Sequence, residues 1–168
     1  DVAGISGNSF SVCLYVQRMR KGVGEYFLTM GEKTVDPARQ GVIMYFRSDN
    51  KMVFDLSGDT TSTASAFPSD TGVWVHWAVV FNKIGNGMSI FRDGFAQAPV
   101  GPGTGFNGGT SQGPTSATGP IHLGVYKWNP SDSPFNGDMD EFLLFEGRAL
   151  TAPEALAIAK AGSTLNTV

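Results

Sequence analysis

Charge is scarce in this 168-residue chain: Asp, Glu, Lys and Arg make up 16% of it, against roughly a quarter in an ordinary soluble domain. The 12 basic residues are dispersed and the net charge is −3. Binding nucleic acid would take concentrated positive charge, so it is excluded as a partner. The longest strongly apolar run, Val73 to Phe81, has about half the length that a membrane-spanning helix needs. Neither membrane insertion nor a signal peptide within these residues is expected. With Cys13 as the one cysteine, no internal disulfide can form. Set in an apolar run, it reads as a small buried hydrophobe, because a reactive thiol wants a nearby cation or a helix N-terminus. The chain also lacks an initiator Met. Its start at Asp1, followed by the turn-like Gly4-Ile5-Ser6-Gly7, suggests a module of a longer protein with other domains as partners.

Turn formers take the place of charge. Glycine (22) and proline (9) are abundant and, with frequent Ser and Thr, favour many short strands over a helical bundle. A 41% hydrophobic fraction with 11% aromatics is too rich for a disordered segment. A chain of this length buries roughly 70% of its unfolded surface, around one core.

The apolar periods are those of strands bounded by Gly, Asp and Asn turns. Phe10 to Val16, Glu25 to Met30, Gly41 to Arg47 and Lys51 to Leu56 read as strands, the last two flanking the hairpin turn Ser48-Asp49-Asn50. The polar stretch Asp55 to Thr71 reads as a surface loop. Val73 to Phe81 is apolar at nearly every position, as in a strand covered on both faces, so Trp74 and Trp77 are expected in the core. Met88 to Arg92 ends at the turn dipeptide Asp93-Gly94. Pro99 to Pro120 holds 7 Gly and 4 Pro in 22 residues and reads as one long loop. Ile121 to Tyr126 and Phe135 to Phe145 are the last strands. Thr151, Pro153 and Glu154 form a capping box that announces a short helix, with Gly162 as its stop. About nine strands and one C-terminal helix, without strand–helix alternation, predict a single all-β domain over residues 1–168, a two-sheet antiparallel sandwich. Strand order alone leaves a jelly roll and an immunoglobulin-like sandwich both open.

The segment Phe135-Asn136-Gly137-Asp138-Met139-Asp140-Glu141-Phe142-Leu143-Leu144-Phe145, followed by Arg148-Ala149-Leu150-Thr151 and Glu154, resembles the closing signature of laminin G-like domains in the concanavalin A-like jelly-roll superfamily. Phe10-Ser11-Val12, Trp74-x-His76-x-Ala78-x-Val80-Phe81, Phe91-x-Asp93-Gly94 and Ile121-x-Leu123-Gly124 stand in that family's order. The resemblance covers most of the chain and implies a jelly roll. The family usually opens with a further Gly-rich strand; here that segment is absent or reduced to Asp1 to Gly7.

Glycosidases of the same superfamily carry two carboxylates on one face of a Glu-x-Asp-x-(x)-Glu strand. No such strand occurs. Asp138-Met139-Asp140 is the nearest approach and belongs to the closing signature, Glu25 and Glu32 are too far apart on one strand, and Asp55 and Asp59 straddle a turn. His76 and His122 have no Ser, Cys or carboxylate at an interpretable spacing. Gly101-x-Gly103-x-Gly105 lacks the following helix that would cradle phosphate, and two His with one Cys fall short of a zinc shell. The chain is therefore expected not to be an enzyme. Pentraxin relatives bind calcium through acids just after a Leu-Gly; here Leu123-Gly124 is followed by Val125-Tyr126-Lys127-Trp128, which has none.

Two leads remain. In many jelly rolls of this superfamily an Asp in the last strand binds Ca²⁺ together with backbone carbonyls, so the resemblance implies Asp140 as a ligand of a structural calcium ion. The alternative is that Asp138 and Asp140, on one face of the strand, cap a turn or pair with Arg148. Glu141, on the other face, is expected to pair with Arg148, since a buried unpaired charge is costly. The second lead is Trp128, surrounded by Lys127, Asn129, Asp132 and two prolines. An aromatic face beside amides and carboxylates suits a sugar ring. Trp128 as stacking face, with Tyr126, Asn129 and Asp132 beside it, makes a ligand site where the 127–134 loop meets the long Pro99 to Pro120 loop. The alternative is that Trp128 covers the edge of the sandwich. These residues point to a non-catalytic, extracellular or surface-exposed module that recognises a glycan or glycoprotein. The rival is an adhesion or structural module of a cell-surface or virion protein, with an atypical glycosidase third.

Overall fold

Alternation of large apolar side chains along the strands builds two sheets that face each other, as the computed structural model shows for residues 5, 7–31, 41–56, 59–85, 87–100, 119–126 and 133–163. The strands are β1 (Phe10–Arg18), β2 (Glu25–Met30), β3 (Val42–Phe46), β4 (Met52–Leu56), β5 (Asp59–Thr63), β6 (Trp74–Asn82), β7 (Gly87–Arg92), β8 (Phe95–Ala96), β9 (Pro99–Val100), β10 (Ile121–Leu123) and β11 (Gly137–Glu146), followed by helix α1 (Ala152–Ser163). Among the described residues the first sheet has five strands, ordered β11-β1-β6-β7-β8, and the second has six, ordered β10-β2-β3-β4-β5-β9. All ladder pairs are antiparallel. The architecture is the predicted all-β jelly-roll sandwich with one C-terminal helix.

Two stretches read as loops from sequence are partly strand. Asp59–Thr63 pairs with β4, and Pro99–Val100 pairs with β5. Thr and Ser are β-compatible, and Thr61, with the register partner Phe54, is buried. Residues 101–118 of the long loop lie outside the described residues.

Phe10, Val12, Leu14 and Val16 of β1 and Val75, Trp77, Val79 and Phe81 of β6 point into the core, which they share with the inward faces of β2, β3 and β4. Ile5 is fully buried there too, so the front of the chain contributes to the core. The other face of β1 and β6 is also covered. Cys13, Ala78, Val80 and Phe91 pack with Leu150 and Ala155 under α1, which explains why both strands are apolar throughout. Burial pushes the Cys13 thiol up to about 12, an inert group as expected. Trp77 is core, but Trp74 is half-buried at the strand's start, on the helix side.

Helix α1 begins with the predicted cap. Thr151 N–H and hydroxyl both donate to Glu154, at 2.8 and 2.9 Å. Arg148 pairs with Glu154, not with Glu141 as expected, because the helix start brings that acid next to it. Gly162 does not end the helix, which continues to Ser163. Its missing Cβ admits Tyr15 and Glu141. Gly94, at φ +80°, likewise admits Leu156 of the helix. The Tyr15 hydroxyl donates to the Ala159 carbonyl and fastens α1 to β1.

One end of the core holds charge. Glu25 is fully buried, with Arg18 Nε at 3.1 Å and Arg20 Nε at 2.8 Å from its two oxygens. The Asn136 N–H also donates to Glu25 Oε1, at 3.1 Å. Arg18 is itself buried, its guanidinium 4.3 Å from the centre of the Phe46 ring. Removing one partner of such a pair strands the other charge, at a cost of about 3–5 kcal/mol. Glu25→Ala should lower the unfolding free energy by that order in urea denaturation, and Arg18→Met combined with Glu25→Leu should lose clearly less. A single variant as stable as the parent would show that the cluster contributes little.

His76 lies under α1, 2% exposed, with its ring 5.1 Å from that of Tyr15. Neither ring nitrogen finds a hydrogen-bond partner among the described residues, and burial pulls its pKa down to about 4 from 6.5. As pH falls between these values the unfolded chain takes up a proton that the folded one refuses, so stability declines over that window, by on the order of 3 kcal/mol, and levels off below it. His76→Leu should shrink the stability difference between pH 7 and pH 4 measured by denaturation. An unchanged difference would place the acid sensitivity elsewhere.

Candidate ligand-binding site

Three tyrosines stand together on the outer face of the six-stranded sheet. Tyr26 of β2 and Tyr45 of β3 are register partners, with ring centres 4.9 Å apart and planes 28° from parallel. Tyr126, beyond β10, stacks on Tyr26 at 4.5 Å and 29°. A register shift between Tyr26 and Leu28 sends both Phe27 and Leu28 into the core while Tyr26 stays outside. All three tyrosines are half-buried. In such a stack the middle ring has both faces covered, so Tyr126 and Tyr45 carry the two outer faces. Burial, followed by the nearby Asp55 carboxylate, raises the Tyr45 pKa, and its phenol, like any at neutral pH, is a hydrogen-bond donor.

The neighbouring row of the same face is polar apart from Ile43. His122, Thr29, Ile43, Asp55 and Thr60 follow one another across β10, β2, β3, β4 and β5. The Thr60 hydroxyl donates to Asp55 Oδ2 at 3.0 Å, and the Thr29 hydroxyl donates to the Val125 carbonyl at 3.3 Å. His122 Nε2 is buried and has no partner among the described residues.

Backbone bonds fix where the adjoining loop leaves and returns. Gly124, at φ +78°, donates to the Phe27 carbonyl and accepts from the Phe135 N–H, both at 3.0 Å. Tyr26 N–H donates to the Ser133 carbonyl at 3.0 Å, and Tyr26 forms an isolated bridge with Pro134. The described ends of the loop, Tyr126 and Ser133, therefore both lie against Tyr26. Of the residues singled out from sequence, Trp128, Asn129 and Asp132 lie outside the described residues, while Tyr126 is in the stack. Tyr26 and Tyr45 were not anticipated. Their common outward phase in two paired strands was the available signal, and it needs the register to be read.

Asp140 is elsewhere. It is exposed on β11, in the other sheet, opposite Tyr15. Its Oδ1 accepts the Glu141 N–H at 2.7 Å, where Glu141 takes φ +51° and the register with β1 shifts. This bulge turns Glu141 towards Tyr15 and Gly162 and away from Arg148. Calcium takes six to eight oxygens, whereas no three His, Cys, Asp or Glu side chains converge among the described residues. Asp140 by itself has one further carboxylate oxygen to give.

No curated protein matches the chain. Among solved structures, a heptameric SAP-like pentraxin of Limulus polyphemus superposes with a TM-score of 0.67 at 14% identity, over 90% of this chain and 70% of that one. The CBM40 of the Ruminococcus gnavus IT-sialidase, solved with α2,3-sialyllactose, gives 0.65 at 14% identity, over 92% and 84%. A Bacteroides ovatus protein to which carbohydrate binding is ascribed gives 0.65 at 15%, over 89% of this chain and 40% of its own length. At these identities the likeness is one of fold, and the present chain spans well under half of the Bacteroides protein. A laminin G family model, described as the concanavalin A-like lectin/glucanases superfamily, matches residues 1–155, and the chain belongs to that family.

Proposed function

We propose that this chain is a non-catalytic, extracellular or surface-exposed binding module that recognises a glycan or glycoprotein on the outer face of its six-stranded sheet. The observation that carries this reading is the Tyr126–Tyr26–Tyr45 stack, half-buried beside Asp55, Thr60 and His122 and anchoring both ends of the loop that contains Trp128, Asn129 and Asp132. Sugar rings present apolar C–H faces ringed by hydroxyls, and aromatic faces with a few directed polar groups complement them. Tyr126, with Trp128 two residues on, supplies stacking surface; the phenols, Asn129, Asp132 and Asp55 supply donors and acceptors. Fold relatives that bind carbohydrate support the same reading. No helix of the described residues is long and apolar enough to cross a membrane. A glycan array separates this reading from a protein–protein adhesion module, which would leave every glycan unbound. Reducing-sugar release above buffer, abolished by changing one acid, would make the chain an enzyme.

Tyr126→Ala and Trp128→Ala should each weaken binding of an array-positive glycan several-fold in calorimetric titration while the melting temperature stays within a few degrees. Unchanged affinity in both variants would place the ligand off this face. For calcium, Asp140 is the residue on trial. An ion held by the folded state alone raises stability by mass action, so millimolar CaCl₂ should raise the melting temperature and Asp140→Asn should remove the rise. Curves that coincide with and without calcium would leave Asp140 as the acid that caps the Glu141 N–H.

A further inference from the structure

On the opposite side of the sandwich, helix α1 covers a buried histidine, His76, whose two ring nitrogens have no hydrogen-bond partner among the described residues. We propose that α1 is an acid-released cover, which lies on the five-stranded sheet while His76 is neutral and lifts away, leaving the sandwich folded, when His76 takes up a proton.

The surroundings of His76 favour the neutral ring. On β6 it shares the outward phase of Trp74, Ala78 and Val80, and the last two pack under the helix with Cys13, Leu150 and Ala155. An imidazolium there would carry two unpaired donors and a buried charge, where the neutral ring leaves one donor and one acceptor. The titratable and charged groups around it bring no relief. On β1, the Tyr15 ring stands 5.1 Å away, and its hydroxyl donates to the Ala159 carbonyl of α1. After β7, Asp93 Oδ1 accepts the backbone N–H of His76 at 3.0 Å, and Oδ2 meets Arg92 Nη1 at 3.0 Å. Helix α1 brings Lys160, of the same sign as an imidazolium, to the cavity that Tyr15 and Asp93 line. Glu141 of β11 meets the helix at Gly162, beside Tyr15. None of these groups hydrogen-bonds the imidazole.

A protonated His76 must therefore reach water, and the fold leaves one cheap way. Opening the sheet would break the β1–β6 and β6–β7 ladders on either side of it. Helix α1 belongs to no ladder among the described residues. Packing of Leu150 and Ala155, the approach of Leu156 to Gly94 and the Tyr15–Ala159 hydrogen bond hold it in place. A cavity of about 250 Å³, which Tyr15, Trp74, Asp93, Ala159 and Lys160 help to line, already parts it from the sheet at the residues that flank His76. The segment before the helix is fixed separately, since the Ser11 hydroxyl donates to the Arg148 carbonyl at 3.0 Å and accepts the Leu150 N–H at 2.9 Å. The helix can thus lift from Thr151 onward as a local opening, while the strands keep their pairing. The tyrosine stack, on the other sheet, plays no part in it.

The test is amide hydrogen exchange of the full chain between pH 7 and pH 4, read by NMR as protection relative to the free-peptide rate at each pH. Amides of α1 should be less protected than those of β1 and β6 throughout. Their protection should fall roughly 20-fold from pH 7 to pH 5, the factor by which an open state with an ordinary histidine gains on a closed one whose histidine is held down to about 4. His76→Leu should remove that fall. Tyr15→Phe should lower α1 protection about two- to tenfold at every pH and leave the pH dependence in place. His122→Gln, on the other sheet, should also keep the dependence, which assigns the effect to His76 even if His76→Leu does not fold. Equal protection in α1 and in β1 and β6 would show that His76 meets water only when the whole sandwich unfolds, and would overturn the proposal. So would α1 protection that stays level from pH 7 to pH 5, that falls as steeply in His76→Leu, or that loses its fall in His122→Gln.

Discussion

The buried Glu25 carboxylate is the interaction on which one end of the sandwich depends. It accepts from Arg18 and Arg20 on β1 and the turn after it, and from the Asn136 N–H before β11. Arg20 also donates to the Pro134 carbonyl at 2.7 Å, and Asn50 of the β3–β4 hairpin accepts from both Arg18 and Gly22. One acid thereby fixes segments that are more than a hundred residues apart in the chain. Its neighbour in sequence is Tyr26, the middle ring of the stack. A charge so deep in the core is tolerable because three donors, two of them cationic, meet its two oxygens.

The two outer faces are used differently. On the five-stranded sheet, Cys13, Ala78 and Val80 are small or slim enough for α1 to lie close, and glycines at 94 and 162 remove the side chains that would hold it off. On the six-stranded sheet, tyrosines, threonines and an aspartate occupy the corresponding outward positions. Phenols and hydroxyls keep hydrogen-bonding capacity at half burial where aliphatic side chains would only demand cover. The helix therefore covers one side apart from the cavity at Trp74.

The strands were legible where one periodicity dominated. Glu25–Met30 is found at the bounds read from the sequence, and Trp74–Asn82 is apolar on both faces because core and helix cover it. Legibility failed where a local pattern had two meanings. Thr60-Thr61-Ser62-Thr63 reads as a polar loop, but its threonines complete a sheet once β4 lies beside them. Trp74 looks like Trp77 from sequence, yet their positions three apart put them on opposite faces of the strand. Arg18 and Glu25 gave no signal at all, since charges at the end of one strand and the start of the next ordinarily point to water, and here the two strands lie in different sheets.

Composition, turn chemistry and strand period were enough to determine an all-β sandwich, its helix cap and the absence of a paired-carboxylate strand, because each of these is set by residues near one another in the chain. The tertiary structure alone decided which side chains meet. Tyr26 and Tyr45 stack through the register of β2 and β3 with Tyr126, from beyond β10, on Tyr26, Arg148 turns to Glu154 and not Glu141, and a bulge at Glu141 settles where the last acids point. Register and bulges arise from long-range pairing, which no local pattern encodes.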